Sequence, residues 1–170
     1  MKVHIRLAGL ASALVLLVCA PVAWAKGNHA GGHDQSSIGE AGVAANVQRE
    51  VIVDMSDTMR FTPNHVMVKR GETIRFIIKN SGQLTHEFVL GSAKELKAHY
   101  ALMKKFPGME HSDPNMASVA AGQSGEVVWQ FTQGGKIDFA CLQPGHFEAG
   151  MKGAVTVAAA KPDGHTQHQH

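Results

Sequence analysis

A short segment near the carboxyl terminus concentrates side chains that bind soft metal ions. Cys141, His146 and Met151 follow one another with four residues between each pair. A thiolate, an imidazole and a thioether together match the ligand preferences of copper. Pro144-Gly145 is expected to turn the chain so that His146 faces back toward Cys141. The spacing Cys-x4-His-x4-Met therefore predicts a copper site to which this loop contributes three ligands.

The fourth ligand is expected to be a histidine from a distant strand. His86 follows a turn that contains glycine and precedes an apolar strand segment. His65, His99 and His111 compete with it, but His65 lies in a turn and His99 falls on a predicted helix. We therefore expect His86 to complete the site.

Simpler interpretations remain for each loop residue. A lone cysteine at a strand end is often a buried small hydrophobe. His146, after Pro-Gly, could be an exposed loop residue, and Met151 could be part of the core. Glu87, beside His86, is a candidate to orient an imidazole or accept a proton, or it is a solvent-facing strand carboxylate. Asn80 either ties the two ligand-bearing loops together by side-chain hydrogen bonds or has a simple turn role.

The first 25 residues have the pattern of a secretory signal. Lys2 and Arg6 provide a positive start, Leu7 to Ala20 form an apolar run, and Ala23-Trp24-Ala25 is a small-x-small cleavage site. The run is shorter than the about 20 apolar residues of a membrane span. We therefore expect export and cleavage after Ala25, with an uncleaved membrane anchor as the alternative.

The composition of the exported chain limits its function. Loss of Lys2 and Arg6 leaves 14 basic and 14 acidic residues, so the formal charge is zero. This balance argues against nucleic-acid binding and against a polybasic membrane contact. Cys141 is then the single cysteine, and a free thiol in an oxidising compartment is a liability unless a group such as a metal holds it.

One folded unit, residues 47–160, is expected between a flexible arm (26–46) and a flexible tail (161–170), both of which contain histidines. Alternating apolar residues and β-branched runs predict short strands, and Gly134-Gly135 predicts a hairpin turn. The predicted strands cover about 51–55, 66–68, 73–79, 86–90, 126–131, 136–141 and 154–158. Many short strands favour an all-β sandwich or barrel.

One helix interrupts the strands and leads into a second candidate site. Ser92-Ala93-Lys94-Glu95 is a capping box, and Pro107-Gly108 ends the helical pattern, which predicts a helix over 93–105. Thioethers suit Cu(I), so the segment that follows could form a second copper site. Alternatively, its first methionine packs in the core and the other residues line a mobile loop. The candidate residues are Met103, Met109, His111 and Met116.

These motifs resemble those of the cupredoxins, in particular the periplasmic copper-tolerance cupredoxins of bacteria. The resemblance runs from about Val51 to Val157. It implies a Greek-key β-sandwich in which His86, Cys141 and His146 form a trigonal plane around copper and Met151 lies axial. Besides the loop from Cys141 to Met151, its carriers are Met59-Arg60-Phe61-Thr62-Pro63, Gly71-Glu72-Thr73, Asn80-Ser81-Gly82 and His86-Glu87-Phe88.

The resemblance implies a monomeric periplasmic protein with one type 1 copper, blue or green, that serves electron transfer and copper tolerance. Its partner would be a redox protein or a copper-handling protein. The alternative is a Cu(I) chaperone that sequesters copper with the Met/His segment. An enzyme is not expected, because the folded unit has no His-x-His pair for additional coppers and no serine elbow. Cuprous oxidase activity has no support in the sequence.

Overall fold

The computed structural model describes residues 35–106 and 112–159 of the chain. The helices in this part are α1 (Gln35–Ile38) and α2 (Ala93–Lys105), and a 3-10 turn spans Ala44–Asn46. The strands are β1 (Glu40–Ala41), β2 (Arg49–Ser56), β3 (Arg60–Thr62), β4 (His65–Lys69), β5 (Thr73–Asn80), β6 (His86–Gly91), β7 (Met116–Val119), β8 (Ser124–Gln130), β9 (Gly135–Ala140) and β10 (Lys152–Ala158). Within the described residues, neither helix combines the length and apolar character needed to cross a membrane.

The strands form two sheets of five strands each. One sheet has the order β1-β8-β5-β2-β3 and the other the order β4-β10-β9-β6-β7. Most neighbours are antiparallel, but β2 pairs with β5 and β4 with β10 in parallel. Because the chain passes repeatedly from one sheet to the other, strands distant in sequence become neighbours. The predicted all-β sandwich with one inserted helix is confirmed.

Aromatic side chains from both sheets fill the space between them. The Phe88 and Phe139 ring centroids lie 4.9 Å apart, and Phe61 meets Phe139 edge-on at 5.1 Å. The core around these rings also contains Cys141 and Met151, both fully buried. The candidate ligand loop is therefore rooted in the main core at both of its ends.

Helix α2 covers the outer face of the second sheet. Ser92 Oγ accepts a hydrogen bond from the Glu95 amide (3.3 Å), and a Glu95 carboxylate oxygen accepts one from the Ser92 amide (2.7 Å), which completes the predicted capping box. The buried helix residues Leu96, Tyr100 and Met103 form a second apolar cluster with side chains that include Leu142. We call it the cluster beneath α2. This cover explains why all six residues of β6 are buried.

The segment predicted as a flexible arm is structured from residue 35 onward. Strand β1 pairs with β8, and the Trp129 Nε1–H group donates a 2.8 Å hydrogen bond to the Ile38 carbonyl. Ile38 itself is buried. The attachment uses main-chain groups and one apolar residue, so the polar composition of the segment does not reveal it.

Replacement of Gly39 by alanine should detach this edge of the sandwich. Gly39 has a φ of +106°, and an added Cβ would overlap the Gln130 carbonyl. We expect the free energy of unfolding of the copper-free protein to fall by about 2 kcal/mol more than in Gly122→Ala. Gly122 is a matched control because its φ is +70° but no atom lies near its Cβ position.

Urea unfolding followed by Trp129 fluorescence measures both losses. The Gly39 variant should also show red-shifted emission in its folded state, because Trp129 loses its cover. Equal losses in the two variants would mean that the overlap between the new Cβ and the Gln130 carbonyl does not destabilise the Gly39 variant.

Candidate metal centre

Three of the predicted ligands converge where β6 begins and β9 ends. His86, Cys141 and His146 each offer one ligand atom, and these atoms all lie within 4.8 Å of one another. The two Nδ1 atoms of the histidines are 3.2 Å apart, and the Cys141 Sγ lies 3.3 Å from the His146 Nδ1. His86 and Cys141 are fully buried, whereas His146 is partly exposed. The arrangement is a compact set of one sulfur and two nitrogen donors.

Main-chain hydrogen bonds close the loop from Cys141 to Met151 on itself. The Cys141 amide donates to the Met151 carbonyl, and the Met151 amide donates to the His146 carbonyl, each at 3.1 Å. The His146 amide in turn donates to the Gln143 carbonyl. Gly145, with a φ of +87°, permits the turn before His146. The backbone of Met151 is thus fixed beside Cys141.

The Cys141 sulfur lies in an apolar environment with few polar neighbours. Burial raises the pKa of the thiol to about 11, and hydrogen bonds from the Glu87 and Gln143 amides oppose that rise. The Glu87 amide is 3.3 Å from the sulfur. Burial also lowers the pKa of His146, as does the neighbouring His86. The neutral form of the His146 imidazole is therefore favoured, and it can offer a lone pair to a cation, which would also stabilise the thiolate.

Asp57, a residue that the sequence analysis did not single out, holds the opposite nitrogen of His86. The His86 Nε2 lies 3.0 Å from the Asp57 Oδ1. Hydrogen bonds from the Gln83 amide, and then from His86, lower the pKa of Asp57. Because an ionised carboxylate only accepts hydrogen bonds, Nε2 donates to Asp57, and in the neutral ring the lone pair is then on Nδ1. The lone pair of His86 therefore faces the other two donors.

The separation between Asp57 and His86 explains why sequence reasoning missed this contact. The two residues are 29 positions apart in the sequence. The parallel pairing of β2 with β5, in which Met55 is opposite Asn80, brings together the turns that follow the two strands. Only a correct prediction of that pairing could have indicated the contact.

The two residues proposed to support the site have other contacts in the structure. Glu87 is buried, so it is not a solvent-facing carboxylate, and it accepts a 2.7 Å hydrogen bond from the Gln143 side chain. This contact ties β6 to the ligand loop. Asn80 donates to the carbonyls of Leu84 and Val119 and thereby joins the β5–β6 turn to β7, not to the loop after Cys141.

Helix α2 braces the ligand loop from the outside. The Tyr100 ring stacks on Phe147 with a centroid distance of 4.8 Å and an interplanar angle of 21°. The Lys152 ammonium lies 3.7 Å from the centroid of the Phe147 ring. Lys104 forms an exposed ion pair with Glu148 at 3.7 Å. The residue that follows His146 is thus fixed between the helix and β10.

The described methionines of the second candidate site belong to a different apolar cluster from Cys141 and Met151. Met103 and Met116 are buried together in the cluster beneath α2, which agrees with the core interpretation of Met103. Met109 and His111 lie outside the described residues. His65 is exposed and its Nε2 is 2.9 Å from the Thr156 hydroxyl oxygen.

Comparison with known proteins defines the class to which this fold and site belong. A family model described as copper binding proteins of the plastocyanin/azurin family matches residues 47–158. The chain therefore belongs to this family of copper-binding cupredoxins, and the resemblance predicted from the motifs is confirmed.

Among its relatives is the copper-resistant cuproprotein CopI of Rubrivivax gelatinosus, 55% identical over 132 residues that cover 76% of this chain and 80% of that protein. The copper-resistant cuproprotein CopI of Pseudomonas aeruginosa is 35% identical over 154 residues, which cover 74% and 84%.

Solved structures with a similar fold include auracyanin B, with a TM-score of 0.60 and 24% identity over 71% of this chain and 96% of that one. Auracyanin from Roseiflexus castenholzii has a TM-score of 0.57 and 20% identity over 66% and 98%. At this level of identity the structural similarity supports the fold, and it confirms the predicted cupredoxin-like sandwich.

Tyr100→Ala should loosen the ligand loop and destabilise the copper-free protein by about 3 kcal/mol, because a large buried ring is lost from the cluster. Tyr100→Phe keeps the stacked ring and should cost less than about 1 kcal/mol. Leu102→Ala, at an exposed position of the same helix, controls for general effects on α2. Urea unfolding measures the three changes, and a Tyr100→Ala loss no larger than that of Leu102→Ala would contradict the bracing role.

Proposed function

We propose that this protein carries one type 1 copper ion, held by His86, Cys141 and His146 with Met151 as a weak axial ligand. The observation that carries the proposal is the convergence of one sulfur and two Nδ1 atoms within 4.8 Å. A cysteine, two histidines and a long axial methionine are the ligand set of blue-copper electron-transfer sites. The chemistry of the donors therefore fits copper, and Met151 is buried in the same core as Cys141.

Electron transfer is the chemistry that this arrangement favours. Copper supplies one-electron chemistry when bound, and the protein supplies fixed ligands and a dry environment. His86 and Cys141 exclude solvent because both are fully buried. His146 is partly exposed and followed by Phe147, so its imidazole edge is the natural route for an electron to or from the surface. Cupredoxin-like copper proteins are typically electron carriers.

The physiological role that we propose is copper tolerance in the periplasm. The relatives named above are copper-resistant cuproproteins, and residues 1–25 have the pattern of a cleaved secretory signal. The protein would act as a monomer on a redox partner or a copper-handling partner. Within that role it could carry electrons, hold copper or oxidise Cu(I).

Cys141→Ser should abolish the intense visible thiolate-to-copper band and leave the sandwich folded. The thiolate is the only strong charge donor among the proposed ligands, and serine is close to cysteine in size. The measurement is an absorption spectrum after addition of Cu(II), with circular dichroism to verify the fold. His65→Ala serves as the control, because His65 is exposed and hydrogen-bonds to Thr156.

A visible band retained in Cys141→Ser would exclude Cys141 as the ligand. A colourless wild-type protein that binds only Cu(I) would instead favour the chaperone that uses Met103, Met109, His111 and Met116.

Met151→Leu should keep copper bound and raise the reduction potential. A weak axial ligand contributes little to binding but donates more to Cu(II) than to Cu(I), so its loss favours the reduced ion. We expect the ratio of Cu(II) to Cu(I) affinity to fall about tenfold, which corresponds to about 59 mV. A redox titration followed by the visible band measures this shift.

The matched control for this variant is Met103→Leu, which removes a buried thioether from the cluster beneath α2. Its potential should stay close to the wild-type value. Complete loss of copper from Met151→Leu would contradict the assignment as a weak ligand.

A further inference from the structure

The turns after β2 and β5 meet around the carboxylate of Asp57. It accepts hydrogen bonds from the Gln83 amide at 2.7 Å, from the Leu84 amide at 3.3 Å and from His86 Nε2 at 3.0 Å. Gly82 makes room for it, since an added Cβ at that position would overlap the Asp57 Oδ1. The carboxylate therefore sits in a built cradle, although 37% of its side chain is exposed.

The hydrogen bond to Asp57 fixes the proton on the His86 Nε2 and the orientation of the His86 ring. His86 is fully buried, so its imidazole must satisfy both nitrogens inside the protein. With Nε2 donating to Asp57, the Nδ1 lone pair faces Cys141 and His146. A hydrogen-bond partner on the far nitrogen of a ligating histidine sets its tautomer and orientation and raises its basicity as a ligand.

A carboxylate does more at this position than a neutral acceptor could. A backbone carbonyl would orient the ring equally well, but the ionised Asp57 adds a full negative charge in direct contact with the ring. Negative charge near a metal stabilises the more positive oxidation state more strongly than the less positive one. The neighbouring Asp54 lies at the same strand end, but its Oδ2 accepts from the Ser81 hydroxyl and not from His86.

We propose that Asp57 is a positioning residue that presents the His86 Nδ1 to copper and sets a lower reduction potential than a neutral partner would give. This inference rests on the proposed function, because it assumes that His86 ligates copper. It assigns a role to a residue outside the ligand set, because Asp57 lies in the turn after β2 and none of the four proposed ligands does.

The test compares the midpoint potentials of full-length, copper-loaded wild type, Asp57→Asn and Asp54→Asn. Asparagine has nearly the shape of aspartate and can still accept from Nε2, but it has no charge. Partners of metal-ligating histidines change metal affinity about 10- to 100-fold when mutated. We expect Asp57→Asn to lower the ratio of Cu(II) to Cu(I) affinity at least about tenfold, an upward shift of about 59 mV. Asp54→Asn removes the same charge from the same strand end and should change the ratio less than about twofold.

The experiment distinguishes a failure of the proposed function from a failure of the inference about Asp57. A wild-type protein without a visible copper band would overturn the proposed function. A normal band with equal shifts in Asp57→Asn and Asp54→Asn would overturn the inference alone, because the charge would then act without the contact to His86.

A second measurement needs no variant and tests how His86 is positioned even if Asp57→Asn does not fold. The Cu(I) protein is diamagnetic, so nitrogen-15 NMR of the His86 ring can identify which nitrogen carries the proton. We expect a protonated Nε2 protected from exchange by Asp57 and a metal-bound Nδ1. A proton on Nδ1, or copper on Nε2, would overturn the proposal.

Discussion

The Cys141 sulfur lies in the apolar core at the end of β9, and much of the surrounding structure compensates for that placement. A thiolate buried among aromatic rings is costly unless a cation neutralises it. The raised pKa of the free thiol expresses the same cost. Hydrogen bonds from the Glu87 and Gln143 amides to the sulfur reduce the cost only in part. If Cys141 ligates copper as proposed, metal binding and the stability of this region are coupled, since the thiol must lose its proton as the cation binds.

Elements from three distant parts of the chain support the candidate metal centre. The turn after β2 holds His86 through Asp57, β6 ties Glu87 to Gln143, and α2 stacks Tyr100 on Phe147. In each contact the supporting residue lies outside the loop from Cys141 to Met151, which contains most of the donors. The sandwich serves as the frame that brings them together, because its strand order makes remote turns into neighbours. The inserted helix, which looks like an excursion in the sequence, supports the loop from outside.

The sequence predicts the regular parts of this molecule well, for identifiable physical reasons. The alternation from Ile74 to Ile78 gives a strand because one face is buried, and the Ser92–Glu95 capping box gives a helix because it satisfies two free amides. Strands β3 and β7 are too short, at three and four residues, for a pattern to develop.

Long-range contacts escape sequence reasoning more completely. The chemistry of the donors indicated the loop residues and His86, and the structure brings three of these side chains together. The support of Asp57 depends on strand pairing, and the anchoring of residues 35–46 depends on main-chain hydrogen bonds to β8. Neither leaves a signature in local composition.

The unequal exposure of the three converging donors affects how copper ions and electrons could reach the site. His86 and Cys141 are sealed inside, and the His146 ring alone among the three reaches the surface. Under the proposed function, a copper ion and an electron would both reach the site past this ring. A partner protein docked over the exposed edge of His146 for electron exchange would then also block the exchange of copper. On this proposal electron exchange and copper exchange would compete, and a copper-loaded molecule would keep its ion while a redox partner is bound.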